Sequence, residues 1–165
     1  ITSRIDYGNA CLYDIASYQT HRLQMLLHIS ARILLRADHS CNIATILADL
    51  HWLPIEHRII FKILLLTFKA LNGLAPIYIS DLLHYNFTGR NLRSTNNLKI
   101  PRTHNGYGDR AFSVAAPALW NTLPDSIRLE KTVPAFKKAI QTWLFKGVCN
   151  YVDMCVCEVS LNIFI

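Results

Sequence analysis

Carboxylate side chains are few in this sequence, and none of them lies next to another. The chain of 165 residues has only 11 Asp and Glu. The aspartates stand at positions 6, 14, 38, 49, 81, 109, 125 and 153, and the three glutamates are isolated. A polymerase or metal-dependent nuclease needs clustered carboxylates to hold its divalent metal beside a phosphate. Since the G-x-x-x-x-G-K-S/T, G-x-S-x-G and H-E-x-x-H motifs are missing as well, the residues by themselves predict no catalytic site.

Cysteine and histidine give no metal-binding pattern. The five cysteines are odd in number and irregularly spread: Cys11, Cys41, Cys149, Cys155 and Cys157. With no signal peptide ahead of them, we expect a reduced, intracellular setting instead of a set of disulfides. The C-x5-C-x-C spacing of the last three cysteines fits neither a zinc knuckle nor a zinc ribbon. We therefore expect no metal and no other cofactor in this chain.

No apolar run is long enough to suggest a membrane partner. The longest lies between Arg58 and Lys69, and Lys62 interrupts it. A membrane-spanning helix needs about 20 mostly uncharged apolar residues. We expect this stretch to be a buried helix, and we expect no membrane association.

Apolar residues make up 52% of the chain, which argues against disorder, and their spacing predicts helices in the first half. Residues 17–37 have an amphipathic pattern. Its apolar side consists of Leu23, Leu26, Leu27, Ile33 and Leu34. A shorter helix over 43–50 follows, with Asn42 as its N-cap. A nearly all-apolar helix then lies between Pro54 and Gly73, which suit its first turn and its C′ position.

The middle of the chain predicts less regular structure. After Pro76 a short helix is expected to run to about Tyr85. Residues 86–108 are dominated by Asn, Thr, Gly, Arg and Lys, which is typical of a loop. We expect one short strand within it, around Leu98 to Ile100.

The last third predicts short helical turns and one longer helix. In "SVAAPALWNTLPDSIR" we expect a short extended piece followed by short helices, with Pro117 and Pro124 each at a helix start. Thr132 is expected to cap a final helix over 133–146, which Gly147 ends. The fold class is then mostly α: a small helical bundle with a basic loop, a second block of short helices, and one short strand or hairpin.

Positive charge is in moderate excess, with 17 Lys and Arg and a net charge of +6, which favours an anionic partner. Residues 90–110, here called the basic segment, carry five cations against Asp109 alone. These cations are Arg90, Arg93, Lys99, Arg102 and Arg110. A flexible basic loop can follow a phosphate backbone, so this segment is the strongest candidate for nucleic-acid contact.

Two helices carry further cations. On the long apolar helix they are Arg58, Lys62 and Lys69, which point roughly the same way. Opposite the apolar side of residues 17–37 lie His21, His28, Arg32 and Arg36. Each group could contact phosphates or be the solvated side of a helix, and both interpretations stay open. The three tryptophans lie among Leu and Pro, so we interpret them as core anchors and not as base-stacking platforms.

Taken in order, these segments resemble the C-terminal part of the reverse transcriptase of non-LTR retrotransposons, the LINE type, in the chicken-repeat-like branch. "SRIDYGNACLY" is similar to the family's S-R-L-D-Y-C-N-x-L-L-Y, and "THRLQMLLHISARIL" to its R-L-Q-x-x-x-N-x-A-A-R-L helix. "LADLHWLPIEHRIIFKILLLTFKALNGLAPIYISDLL", "LRS", "YGDRAFSVAAPALWNTLPDSIR" and "AFKKAIQTWLFK" follow in the family's order. The resemblance runs from about residue 3 to 146. Gly8 departs from it by standing where the family usually has Cys.

The resemblance implies different roles for successive parts of the chain. Residues 1–84 would be a thumb-like helical bundle that grips primer–template duplex, and 85–147 a post-thumb segment that helps to hold element RNA or target DNA. Residues 148–165 resemble no family segment and stay unassigned. The catalytic palm, with its paired aspartates and its Mg²⁺, would lie upstream of Ile1, where the sequence begins like a piece of something longer. Whether the chain counts as an enzyme is left undecided.

The function implied is a non-catalytic fragment of an RNA-directed DNA polymerase that contacts RNA or primer–template duplex. Its partners would be element RNA, DNA and the palm domain, in a nuclear or cytoplasmic ribonucleoprotein. The candidate nucleic-acid-binding residues are Arg32, Arg36, Arg58, Lys62, Lys69, Arg90, Arg93, Lys99, Arg102 and Arg110. The alternative is a structural or protein-interaction helical module whose basic faces are only solvated.

The resemblance also suggests a role for "GYGDRAFSVAAPALWNTLP", residues 106–124. Gly106 and Gly108 would make the turn out of the basic loop, and Arg110 would lie at the protein's edge. A small core would form from Ala115, Ala116, Leu119, Trp120 and Leu123. The stretch would then be a clasp that holds a nucleic-acid-facing loop to the helices.

Overall fold

The computed structural model describes residues 2–38, 41–86, 97–104 and 106–149. Within these ranges the backbone is almost entirely helical, and strand pairing is limited to one antiparallel bridge between Tyr85 and Leu98. The predicted mostly-α fold class is confirmed. The strand expected around Leu98 to Ile100 is reduced to that single bridge.

The described residues form nine α-helices and one short 3₁₀ helix. In chain order they are α1 Thr2–Ile5, the 3₁₀ helix Asn9–Leu12, α2 Ser17–Leu35, α3 Ile43–Asp49, α4 Ile55–Leu71, α5 Ile77–Ser80, α6 Gly106–Asp109, α7 Phe112–Thr122, α8 Asp125–Arg128 and α9 Val133–Cys149.

The described residues divide into two compact units, one within residues 1–59 together with 140–149 and the other within residues 60–139. The boundary predicted at residue 84 falls inside the second unit. In the first unit α2 contacts α3. Its buried apolar residues include Leu27, Ala31, Ile46, Leu47, Leu53, Ile55, Ile59, Ile140 and Leu144. In the second unit they include Ile63, Leu64, Phe68, Leu83, Leu98, Val114, Ala115, Ala116, Trp120, Leu123, Ile127 and Phe136.

Aromatic rings from three helices meet in the core of the second unit. The ring of Phe68, near the end of α4, stacks on Phe136, in the first turn of α9, with 4.0 Å between centroids and 19° between planes. The indole of Trp120, in α7, lies 5.8 Å from the Phe136 ring. Trp120 is buried, as its interpretation as a core anchor requires, whereas Trp52 and Trp143 are half-buried.

Three of the predicted helix starts and stops, at Asn42, Pro54 and Gly73, are confirmed. The Asn42 side chain accepts a hydrogen bond from the Ala44 backbone N–H at 3.0 Å, so it caps α3. Pro54 directly precedes α4. Gly73 has φ +69°, and the next N–H, of Leu74, donates to the Lys69 carbonyl at 2.8 Å, which makes a Schellman ending. These signals act within five residues, so the sequence alone contains them.

Three predicted helix ends or turns are wrong, and the position of Pro117, described below, is a fourth error. The helix after Pro76 ends at Ser80 and not near Tyr85. Gly106 and Gly108 lie in the short helix α6 and not in an open turn. α9 continues through Gly147 to Cys149, because a glycine costs a helix only about 1 kcal/mol and does not by itself stop it.

Pro117 lies inside α7 and not at a helix start. An interior proline has no N–H for the carbonyl four residues earlier, here that of Ser113. The helix nevertheless continues to Thr122, burying Val114, Ala115, Ala116, Pro117 and Trp120. Burial of this apolar face outweighs the missing hydrogen bond.

The apolar side predicted for α2 is only partly buried. Leu27 is fully buried and Leu23 half-buried, but Leu26, Ile33 and Leu34 are exposed. The buried face of α2 contains Thr20, Leu27 and Ala31. Because Thr20 and Ala31 are not strongly hydrophobic, the sequence pattern did not place them on the buried side. The prediction was centred on the larger apolar side chains, which lie to one side of the buried face.

Candidate nucleic-acid interface

Backbone hydrogen bonds join residues 84–86 to residues 97–99, and this paired region is here called the base of the basic segment. The Asn86 N–H donates to the Asn97 carbonyl at 2.9 Å, and the Lys99 N–H donates to the His84 carbonyl at 2.8 Å. Between them, Tyr85 and Leu98 form the antiparallel bridge. The chain therefore leaves the helical block at residue 86 and returns to the same place at residue 97.

Asn121, in α7, holds this base in position. Its side-chain oxygen accepts from the Leu98 N–H at 2.9 Å, and its side-chain nitrogen donates to the Leu98 carbonyl at 2.9 Å. Both backbone groups of one residue are thus satisfied by one amide, as a neighbouring strand would satisfy them. Since Leu98 is only 1% exposed, these groups have no easy access to water.

Arg128, in α8, fastens the neighbouring residue. Its Nη1 donates to the Asn97 side-chain oxygen at 2.7 Å, and its Nη2 pairs with the Asp125 carboxylate at 2.5 Å. The guanidinium is therefore used to position the base of the basic segment, and its side chain is largely buried.

A second contact closes the far side of the segment. The Thr103 hydroxyl donates to the Asp109 carboxylate. Gly108 packs directly on Thr103, so that a Cβ at this position would come within 3.0 Å of the threonine methyl carbon. Besides the pairing with residues 84–86, the anchoring contacts come from residues 108–128, which include most of the stretch interpreted as a clasp.

The cations of the basic segment differ in their surroundings. Lys99 and Arg102 are exposed, and neither forms an ion pair with another residue that the structure describes. Arg110 is half-buried and interacts with other groups of the protein. Arg90 and Arg93 lie outside the described residues. The structure therefore places two exposed cations, Lys99 and Arg102, directly after the anchored base, and within the described ranges no carboxylate pairs with them.

The cations of α4 divide between the two units. Arg58 belongs to the first, where its Nη1 lies 3.1 Å from both carboxylate oxygens of Asp6 and its Nε donates to the Leu53 carbonyl at 3.2 Å. With its side chain only 14% exposed, Arg58 is occupied within the protein. Lys62 and Lys69 belong to the second unit, Lys62 exposed and Lys69 half-buried.

The cations of α2 lie at its C-terminal end. Arg32 donates to the Asp38 backbone carbonyl at 2.8 Å and is half-buried. Arg36 adopts the left-handed conformation that ends the helix, with φ +50°, and its side chain is exposed. These two arginines belong to the first unit, whereas the basic segment belongs to the second.

An open cleft of about 580 Å³ lies in the first unit, between the first turns of α2 and α4. Its lining residues are Ser17, Tyr18, Thr20, His21, Gln24, Pro54, Ile55, Glu56 and His57. Gln24 links the two helices, because its side-chain oxygen accepts from the Ile55 N–H at 2.8 Å. Its nitrogen is then left to donate to His28 Nε2, at 2.6 Å, which requires a neutral His28 ring.

Two histidines here have a lowered pKa. Burial lowers the pKa of His57, and the Glu56 carboxylate opposes that effect only in part. For His28, burial lowers the pKa first, and the nearby Arg32 and His21 lower it further. The Nδ1 atom of His57 is buried and has no hydrogen-bond partner among the described residues, which is consistent with a ring held in its neutral form.

We expect acid to destabilise the fold through these histidines. In the unfolded chain a histidine has a pKa of about 6.5, so below that pH the unfolded state binds more protons than the folded state. Stability should therefore fall as the pH drops from about 6.5 through the lowered folded pKa values. The melting temperature measured between pH 7.5 and 5 should fall less steeply in the double variant His28→Gln, His57→Gln than in the original chain. His84→Gln, at an exposed histidine, should leave the slope unchanged. An identical slope in all three proteins would contradict this assignment.

Metal binding and membrane insertion find no support in the described part of the chain. There, no three His, Cys, Asp or Glu residues are grouped so that they could hold a metal ion. Among the same residues, no helix combines the length and the apolar character needed to cross a bilayer. Of the three cysteines with the C-x5-C-x-C spacing, Cys149 is the last residue of α9, and Cys155 and Cys157 lie outside the described residues. Cys11 and Cys41 are exposed free thiols.

The residues that build this site include several that the sequence patterns did not single out. Asn121, Arg128 and Asn97 are polar residues that the structure uses as fasteners, and Asp6 has the same use for Arg58. The only signal was the position of Asp6, Asn121 and Arg128 within strings otherwise recognised as blocks. No family model, curated protein or solved structure matches the chain.

Proposed function

We propose that this chain is a non-catalytic nucleic-acid-binding module, the C-terminal part of a non-LTR retrotransposon reverse transcriptase, and that its basic segment contacts RNA or primer–template duplex. The observation that carries the proposal is the pair of exposed cations, Lys99 and Arg102, next to a base that Asn121 and Arg128 hold in place. The ordered blocks that resemble the family supply the class of protein.

Uncompensated cations suit this role for a physical reason. A lysine or arginine without a carboxylate partner can bind a phosphate of the nucleic acid directly. The cations that had condensed around that phosphate are then released into solution, and their release favours binding. Asp109, the one carboxylate of the basic segment, is already hydrogen-bonded by Thr103. The net charge of +6 over the whole chain adds a longer-range attraction for polyanions.

Anchoring also favours binding. A segment whose ends are fixed before the ligand arrives loses less conformational entropy on binding than one with free ends. The bridge between Tyr85 and Leu98 and the amide of Asn121 supply that fixation. Arg58 is not assigned to the interface, because its guanidinium is occupied by Asp6.

Under this proposal the polymerase chemistry belongs to a palm domain of the same polyprotein, which would hold the catalytic aspartates and Mg²⁺. This chain would act beside it in an intracellular ribonucleoprotein. Exposed Lys62, half-buried Lys69 and the arginines Arg32 and Arg36 at the end of α2 are further, weaker candidates for phosphate contact.

The test is binding of the full chain to an RNA hairpin and to a primer–template duplex over a range of salt concentrations. The triple variant Arg90→Ala, Arg93→Ala, Arg102→Ala should bind at least about tenfold more weakly at low salt. Each lost phosphate contact should flatten the plot of log affinity against log salt by about 0.7–0.9, so three contacts should lower the slope by about 2–3.

The matched control removes the same charge elsewhere. Lys131, Lys137 and Lys146 are exposed and lie outside the basic segment, so the variant with alanine at all three should keep most of the affinity. Equal losses in the two variants would show that only net charge matters. Absent or salt-independent binding of the original chain would contradict the proposal and favour the alternative of a structural or protein-interaction module.

A further inference from the structure

The outer face of α2 is apolar and exposed. It consists of Tyr18, Met25, Leu26, Ile29 and Ile33, which are exposed by 64, 45, 55, 50 and 71% respectively. At 100° per residue these five lie on the opposite half of the helix from Thr20, Leu27 and Ala31, which are buried. A contiguous apolar face of this kind marks an interaction site more often than a solvated surface.

The charged residues of α2 itself have one sign. α2 contains no Asp or Glu, and the exposed Arg22 and Arg36 lie on the same half of the helix as the apolar side chains. An antiparallel second copy of α2 would bring arginines towards arginines, which is unfavourable. The surface therefore fits an apolar segment that carries negative charge.

The same chain contains such a segment after α9. Residues 150–165, "NYVDMCVCEVSLNIFI", are predominantly apolar, and their only charged residues are Asp153 and Glu158. Stretched out, 16 residues reach about 50 Å, whereas a helix of the length of α2 measures about 28 Å. The segment could therefore follow the whole outer face. The end of α9 that precedes it belongs to the same unit as α2.

We propose that residues 150–165 bind the outer face of α2 within the same chain, with Asp153 and Glu158 facing Arg22 and Arg36. Tethering raises the effective concentration of the segment to the millimolar range, so modest contacts suffice. The proposal does not rest on nucleic-acid binding. It gives a place to the one part of the sequence that the family resemblance does not cover.

Disulfide trapping in the full chain tests this contact. Cys155 is kept as the only native thiol, the other four cysteines are replaced by serine, and a second cysteine is placed on the outer face by Met25→Cys, Ile29→Cys or Ile33→Cys, one at a time. A disulfide requires Cα atoms within about 7 Å. At least one of these three variants should form the intrachain disulfide at least about tenfold faster than Asp49→Cys, an exposed control position on α3.

Charge reversal on both sides of the contact is the second test. Asp153→Lys with Glu158→Lys should slow the trapping severalfold, and adding Arg22→Glu with Arg36→Glu should restore it. Rates equal to that of the Asp49→Cys control at all three positions would overturn the proposal. So would disulfides that form between chains and increase with protein concentration, because they would assign the face to a second copy.

Discussion

Replacing Phe136 by alanine should lower the free energy of unfolding by about 3–5 kcal/mol, the range for truncating a buried phenylalanine. Phe136 is 0% exposed, stacks on Phe68 and lies against Trp120, so it joins α9 to α4 and α7. Alanine would remove the apolar area and leave a cavity between two aromatic rings that cannot close without moving their helices. A protein of ordinary stability loses a large part of its margin by such a change.

Urea unfolding followed by circular dichroism measures this loss. Lys137→Ala is the matched control, since Lys137 is the next residue of α9 and its side chain is exposed. It should change stability by no more than about 0.5 kcal/mol. The free energy of unfolding of Phe136→Leu should lie between the values for Phe136→Ala and Lys137→Ala. A loss below about 1 kcal/mol for Phe136→Ala would mean that the aromatic cluster is not a cooperative part of the fold.

The second large effect is expected at Asn121, which combines stability with the proposed function. Asn121→Ala removes both side-chain partners of the Leu98 backbone at once. A buried polar group left without a partner costs about 1–3 kcal/mol, so the loss of partners for both groups should lower the free energy of unfolding by about 2–6 kcal/mol. The base of the basic segment would be loosened at the same time.

Its neighbour provides the control. Thr122 is exposed, and its hydroxyl only donates to the Leu119 carbonyl of its own helix, so Thr122→Ala should have a small effect. Hydrogen exchange of the Leu98 amide should accelerate strongly in Asn121→Ala and stay slow in Thr122→Ala. Matching exchange rates and stabilities in the two variants would show that Asn121 is not the fastener described.

Local signals explain which elements could be predicted. The cap at Asn42, the ending at Gly73 and the start at Pro54 depend on a few neighbouring residues, and each is found where the sequence places it. Pro117 shows the limit of such signals. A proline is a sound indication of a helix start, but the buried face of α7 required the helix to pass through it.

The fasteners of the candidate site could not be predicted for a different reason. The Asn121 amide reaches Leu98, 23 residues away, and Arg58 reaches Asp6 over 52 residues. Nothing in the intervening sequence encodes such distances, because they are set by how the helices pack. The cations Lys99 and Arg102 needed only composition to be noticed, whereas the contacts that hold their backbone became visible only in three dimensions.

The closed base at Tyr85 and Leu98 also separates the residues between 86 and 97 from the helices, so that changes in the former need not disturb the latter. Lengthening a loop whose ends are pinned costs only about 0.6 kcal/mol per doubling of its length. Insertions, deletions and substitutions between residues 86 and 97 can therefore accumulate while the helices keep their register. In a lineage of related sequences, the proposed nucleic-acid contact could therefore change within this stretch at little risk to folding.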